Sequence, residues 1–473
     1  MTSTNSEGLS PSAPLKPTDL GPLLRQLAVP VMGCTEPAAI ALAVALAAEA
    51  ARGRVPPWVR AADCSSQAGR LPSFTVESVQ IRTVRSLYKN ALAVGIPNTS
   101  GGSGIYLAAA LGPHLDPSAG LNLLKAIDAE ALEGAHQILG SGRLGIAVQE
   151  HDSQGLFVEA QVIGVFDGER HVGEALIQGE HDRVTRLRQD GQTLFDGAPR
   201  PGDEPTSTLL DALGACDLLE LISLASALPP DGRAHALEGV AMNKAAAAAG
   251  LKDSLGLGVG ARLEALMRRG VLSKDVANRA SVLAAAGTDA RMSGHDVEVM
   301  SSSGSGNQGI MCVLPVAVVA EAEGVGEERL AEAVALAHLV TGLMTRHTGL
   351  LSALCGCVVK AGLGAAAGCA HVLGLGPERV FDALRNMAGN MTGEICDGAK
   401  VGCAIKLATA ARAAVVSAYL AEEGVSIPAS NGILASTPAR LFSNIGEVAH
   451  SMREMDRTIV SIMEKKQVRE PAV

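Results

Sequence analysis

From residue 206 to residue 422 the chain reads almost entirely as helix. Segments 206–228, 234–249, 263–269, 274–287, 310–322, 327–344, 350–373, 377–387 and 403–422 are rich in Ala, Leu and Val at helical spacing. Gly-rich joints separate them. Hydrophobic residues make up 47% of the chain, but aromatics only 2%. Small side chains must therefore fill the core, and the helices must pack at close range.

The first half is mixed. Residues 20–53 read as helix broken at Gly33 and Pro37. Residues 74–84 alternate and are rich in Val, Ile and Thr, which predicts a strand. Residues 91–104 begin apolar and end in IPNTSGGSG, a strand-to-loop signal. Residues 105–111 and 121–139 read as helix, and 142–149, 155–166, 171–178 and 181–188 as short strands. The Pro/Gly/Asp-rich stretch 189–206 reads as a linker. The expected fold is α+β: a disordered tail over 1–17, an α+β domain over 18–200 and an all-helical domain over 201–465.

Net charge is −10, with no Arg/Lys run and few aromatics to stack on bases, which argues against a nucleic-acid partner. Residues 1–17 (MTSTNSEGLSPSAPLKP) lack the charged-then-apolar order of a signal peptide. The most apolar stretch, 38–48, is closed by Glu49 and Arg52 and falls well short of the roughly 20 residues a membrane span needs. The chain is read as cytoplasmic, without a membrane partner. The small-residue helices permit a homodimer. In that compartment nine cysteines stay mostly reduced, so clustered ones point to metal or catalysis.

Cys64, Cys216, Cys312 and Cys369 read as small core residues. Five others sit in motif-like settings: GCTEP around Cys34, LCGC for Cys355 and Cys357, and ICDGAKVGC for Cys396 and Cys403. On a straight helix Cys396 and Cys403 would lie roughly 10 Å apart, long for two ligands of one cluster. Gly398 and Gly402 let the backbone fold back instead. The segment reads as a loop presenting two thiolates, with a helix starting near Cys403 whose positive end faces them. Neither a ferredoxin-like nor a zinc-ribbon spacing is present. Three thiols from Cys355 or Cys357, Cys396 and Cys403 would leave a position open, which suits catalysis.

Two joints are too polar and glycine-rich for plain connectors: 301–309 (SSSGSGNQG) and 386–402 (NMAGNMTGEICDGAKVG). Ser303, Ser305, Asn307 and Gln308 precede the helix expected at Ile310, and N–H groups at a helix start suit a carboxylate. Asn98, Thr99 and Ser100 follow an apparent strand. Both sets are candidates for binding a small substrate. His347, eight residues before the CGC, is a candidate proton-transfer group. Lys400 and Lys406 flank Cys403, placed either to balance charge or to face solvent.

GCTEP (33–37), GIPNTSGGSG (95–104), GSGNQG (304–309), RHTGLLSALCGCVVKAG (346–362) and NMTGEICDGAKVGCAIK (390–406) together resemble the L-cysteine desulfidase family. That family is related to the α-domain of iron–sulfur L-serine dehydratases, and the resemblance runs from about residue 20 to about 460. It implies a [4Fe–4S] cluster with one open iron site. Cys396 and Cys403 are then two ligands and Cys355 the third, with Cys357 the alternative. Cys34 is the implied base or acid, with Glu36 either tuning it or serving as a helix-start charge. A thiol of lowered pKa can act as thiolate. The implied reaction is β-elimination of a small amino acid without pyridoxal phosphate. L-Cysteine would give pyruvate, ammonia and sulfide. The alternatives are an L-serine dehydratase with the same cluster and a non-catalytic metal-binding or redox-sensing protein.

Overall fold

The computed structural model describes residues 14–60, 74–149, 156–197, 209–253 and 255–469. Its described strands are β1 (Pro30–Met32), β2 (Thr75–Val84), β3 (Leu144–Gln149), β4 (Phe157–Phe166), β5 (Glu169–Gln178), β6 (Val184–Gln189), β7 (Gln192–Asp196) and β8 (Glu298–Met300). Six of them form one sheet in the order β3-β2-β4-β5-β6-β7. Only β2 and β3 run parallel; the other neighbours are antiparallel.

The alternation in β2 explains how the sheet sits. Val79, Ile81 and Thr83 point to a buried face, opposite Val162, Ala160 and Val158 of β4. Gln80 and Arg82 point the other way. Helix Thr35–Ala51 covers the buried face and has no exposed residue. The other face carries the ion pairs Arg82–Glu159 and Arg186–Glu159, as expected where one face of an antiparallel sheet meets water.

The second half is helical. Helices Pro230–Asp253, Val276–Met292, Gly306–Glu323, Glu327–Thr348, Lys360–Val372, Pro377–Met391 and Cys403–Glu422 build one core. Lys360–Val372 is buried along its whole length. Its Gly364 and Gly368 lie against the backbone of Glu327–Thr348, the close packing that a core poor in aromatics requires. Cys403–Glu422 is long and apolar enough to cross a membrane, but here it packs against Val276–Met292 and Pro377–Met391. The α+β architecture therefore holds. The start of the chain joins the helical core: helix Leu20–Leu27 packs there, and β1 pairs with β8.

Several elements differ from the sequence reading. The segment 350–373 is helical only over Lys360–Val372, because Cys355 and Ala353 spend backbone groups on Glu394 and Cys396. The segment 206–228 splits into Leu209–Ala215 and Leu218–Ser226, the second capped by Asp217 and Glu220. The segment 121–139 splits at Asp128, which caps Ala129–Gly140. Residues 91–104 hold no strand, only the end of helix Arg85–Ala91 and an isolated Gly95–Ser103 bridge. Pro37 does not break its helix: it sits in the first turn, where its missing N–H costs nothing. The expected linker 189–206 contains β7, and its residues 198–206 lie outside the described ones. Of the expected tail, residues 1–13 lie outside them, and Pro17–Asp19 forms a 3-10 turn. Helices Pro438–Ser451 and Arg453–Arg469 carried no clear signal.

Candidate functional site

The two cysteine loops are clamped together by backbone. Leu354 and Ile395 form an isolated antiparallel bridge. The Cys355 N–H donates to the Glu394 carbonyl at 3.0 Å, and the Cys396 N–H to the Ala353 carbonyl at 2.7 Å. Cys355 and Cys396 are thereby set side by side. Gly398 then turns the chain with φ +94°, and a Cβ there would lie 2.6 Å from the Lys89 carbonyl. Helix Cys403–Glu422 begins at Cys403 itself, as the loop reading required. Lys400 and Lys406 do not simply face solvent. Lys400 pairs with Asp397, and Lys406 reaches the Ile395 carbonyl at 2.7 Å and Asp397 at 3.0 Å.

Cys34 is the N-cap of helix Thr35–Ala51, but its thiol does not cap. It donates instead to Glu36 Oε2 at 2.8 Å. Asn90 Nδ2 donates to Glu36 Oε1 at 3.0 Å, and Asn90 Oδ1 lies 3.8 Å from Cys396 Sγ. Asn90 thus links the Cys34–Glu36 pair to the Cys396 thiol. Burial, and then the Glu36 charge, push the Cys34 thiol well above the ordinary thiol range. The resting group is a thiol, which corrects the lowered-pKa reading. Burial opposes ionisation of Glu36, yet His181, the Cys34 hydrogen bond and Arg291 together hold its carboxyl below the usual value. Glu36 is therefore a buried partner of Cys34 and not a surface helix-start charge.

The glycine loop 301–309 closes the third side. Helix Gly306–Glu323 begins earlier than Ile310, with Ser305 as N-cap and Asn307 and Gln308 in the first turn. First-turn N–H groups have no partner inside the helix. From behind, Ser302 Oγ meets His338 Nδ1 at 2.9 Å and fixes the loop to helix Glu327–Thr348.

Cys34, Glu36, Ser305, Asn307, Gln308, Cys355, Cys357, Cys396 and Cys403 line one cavity of about 700 Å³, mouth included. Asn90, His181, Arg291, Lys360 and Asp397 line it too. Of these, Lys360 and Asp397 fall inside the quoted motifs 346–362 and 390–406, whereas Asn90, His181 and Arg291 lie in none. A lysine inside an apolar run was the one available signal, at Lys89 (LYKNAL) and Lys360 (CVVKAGLG).

Asn98, Thr99, Ser100 and His347 do not line this cavity. Asn98 Nδ2 donates to the Lys125 carbonyl at 3.2 Å, Ser100 is exposed, and Thr99 Oγ1 donates to the Ile96 carbonyl at 2.7 Å. Their loop braces the site indirectly, through Pro97 packed against Gly33. His347 is half-buried beside Phe442, ring centroids 6.1 Å apart. Cys312 and Cys369 are core residues, Cys216 is half-buried, and Cys64 lies outside the described residues.

The donor chemistry fits an iron–sulfur cluster. Soft thiols from three chain positions share one buried cavity with cations behind them. Lys89 and Lys360 are both buried and both feel Cys355 and Cys396. Burial drives Lys360 down to about 8, partly offset by those thiols. Its ammonium donates to the Gly349 and Leu350 carbonyls at 2.9 and 3.2 Å, pinning the chain that leads into the CGC. Among the described residues no three His, Cys, Asp or Glu side chains converge as ligands of a single metal ion. Ligands of a cluster each hold a different iron and need no such convergence.

Residues 231–461 match the family of the serine dehydratase alpha chain. The chain is 37% identical over 442 residues to a UPF0597 protein of Alkaliphilus oremlandii, covering 93% of this chain and 96% of that one. It is 35% identical over 446 residues to a UPF0597 protein of Desulfatibacillum aliphaticivorans, covering 93% and 96%. A UPF0597 protein of Oleidesulfovibrio alaskensis gives 37% over 448 residues, covering 94% and 97%. With similarity running nearly end to end, the chain belongs to the UPF0597 family, and its helical region is of the serine dehydratase alpha type.

Proposed function

We propose that the cavity carries out iron–sulfur-dependent β-elimination of L-cysteine to pyruvate, ammonia and hydrogen sulfide. One observation carries the reading: the Cys34–Glu36 pair and the CGC and CDGAKVGC thiols line the same buried cavity. Cys355, Cys396 and Cys403 would hold a [4Fe–4S] cluster, with Cys357 as the neighbour that hydrogen-bonds Cys355. That bond is the first cause holding the Cys355 thiol below the ordinary range, against burial. A bound cluster with one open iron supplies a Lewis acid for the leaving group.

The chain's own residues handle the rest. The substrate seats against the first turn of helix Gly306–Glu323, within reach of Ser305, Asn307 and Gln308. As the Cys34 sulfur takes the α-proton, its own proton moves along the hydrogen bond to Glu36, so no free thiolate need form first. As the Cα–Cβ double bond forms, the Cβ–S bond breaks and sulfide leaves. The resulting enamine tautomerises and is hydrolysed to pyruvate and ammonia. Asn90 keeps Glu36 aimed at Cys34 throughout. Reduced thiols suit a cytoplasmic enzyme.

The match of residues 231–461 to the serine dehydratase alpha chain supports a second reading, the same elimination with hydroxide leaving from L-serine. Cluster-loaded enzyme, assayed without oxygen, should release sulfide and pyruvate in equal amounts from L-cysteine. Rapid pyruvate from L-serine with no sulfide from L-cysteine would transfer the assignment to the dehydratase. Turnover of neither would remove both.

A further inference from the structure

We propose that Arg291 is the receptor for the substrate's α-carboxylate. Free α-amino acids, and not their esters, amides or decarboxylated amines, are then the substrate class. The inference rests on the elimination reading and names what that site selects.

Arg291 ends helix Val276–Met292 and is only 2% exposed, yet it lines the cavity. Its Nη1 donates to Asn307 Oδ1 at 2.9 Å and meets Met292 Sδ at 3.4 Å, both neutral groups. Its Nε is buried with no partner. Among the described residues no carboxylate lies within ion-pair distance of it. Glu36 feels its charge but is already engaged by Cys34 and Asn90. Buried charges are ordinarily paired. An unpaired guanidinium in a cavity wall is matched by an anion that arrives.

Its position fits a carboxylate. The guanidinium lies directly over Gly306: a Cβ there would be 2.3 Å from Arg291 Nε. The cation therefore sits beside the first turn of helix Gly306–Glu323, whose N–H groups are a second kind of donor for an anion. The same wall holds Ser303 Oγ and Gln308 Oε1, both buried and unpartnered. Gln308 Oε1 is an acceptor and suits the substrate ammonium; the hydroxyl and guanidinium suit the carboxylate. Together they describe a zwitterion.

The test uses cluster-loaded wild-type enzyme with L-cysteine, L-cysteine ethyl ester and cysteamine, binding being read by calorimetry. The ester and the amine should each bind about 100-fold more weakly than L-cysteine, the scale of losing one partner of a buried charge pair. Arg291→Gln should raise KM for L-cysteine by a similar factor and abolish the discrimination against the ester. Arg291→Lys should recover part of it. Equal binding of acid and ester by wild type, or an unchanged KM in a folded Arg291→Gln, overturns the assignment. Should Arg291→Gln fail to fold, by circular dichroism, the wild-type series and Arg291→Lys decide. Wild type that binds the amino acid selectively but turns over nothing overturns the elimination reading and leaves the carboxylate receptor standing.

Discussion

Cys34 Sγ and Glu36 Oε2 stand 2.8 Å apart, the thiol donating, and neither side chain reaches solvent appreciably. The pair shares one proton route. On the proposed mechanism, removing the acceptor charge should disable the base without touching Cys355, Cys396 and Cys403. Glu36→Gln should lower kcat about 100- to 10,000-fold, the usual weight of a general base, with iron and sulfide content unchanged. Steady-state rates set beside metal analysis check this. Loss of iron along with activity would instead give Glu36 a structural part in holding the loops.

The pH profile follows from two downward shifts. Burial lowers His181, with Glu36 opposing, and Glu36 is itself held low by its partners against burial. Glu36 therefore stays ionised below its ordinary value, and His181 takes up its proton only below its own. As a carboxylate of depressed pKa, Glu36 is lost as pH falls through its folded value, below the ordinary value of about 4.3. kcat/KM should be flat from about pH 6.5 to 8, with no inflection near the ordinary histidine pKa. An inflection there, absent in His181→Gln, would show an imidazole titrating in the rate-limiting proton step.

Lys89 and Asp456 form a fully buried ion pair at 2.7 Å, with side chains 0% and 5% exposed. It ties helix Arg85–Ala91 to the C-terminal helix Arg453–Arg469, just behind Gly398. Asp456→Ala strands a buried ammonium and should cost about 3–5 kcal/mol. The double change Lys89→Met with Asp456→Leu removes both charges and should recover most of that loss. Chemical denaturation of the three variants checks it. Equal destabilisation by single and double changes would mean that packing, not charge, holds this joint.

Much of the wall that carries Cys355, Cys396 and Cys403 was legible beforehand because its geometry is local. Two glycines between Cys396 and Cys403 announced a loop, and the apolar run after Cys403 announced its helix. The opposite wall was not legible. Asn90, His181 and Arg291 come from a short helix, a strand connection and a helix end, and their meeting is a property of the fold alone. Residues 350–359 misled for a related reason. Their apolar content suits a helix, but pairing with 394–396 claims the backbone. Asn98 and Thr99 misled because a loop rich in polar residues can spend them holding its own turn.

The division of the cavity between chain segments has a practical consequence. The span that matches the dehydratase chain, 231–461, contains Cys355, Cys357, Cys396 and Cys403 but none of Cys34, Glu36, Asn90 and His181. A protein trimmed to that span would keep these four thiols and lose the Cys34–Glu36 pair. The four clustered thiols and the Cys34–Glu36 pair are thus written in separate stretches of sequence. Substitutions before residue 200 reach Cys34, Glu36 and His181 directly, whereas those at Lys89 and Asn90 also reach the Cys396 loop.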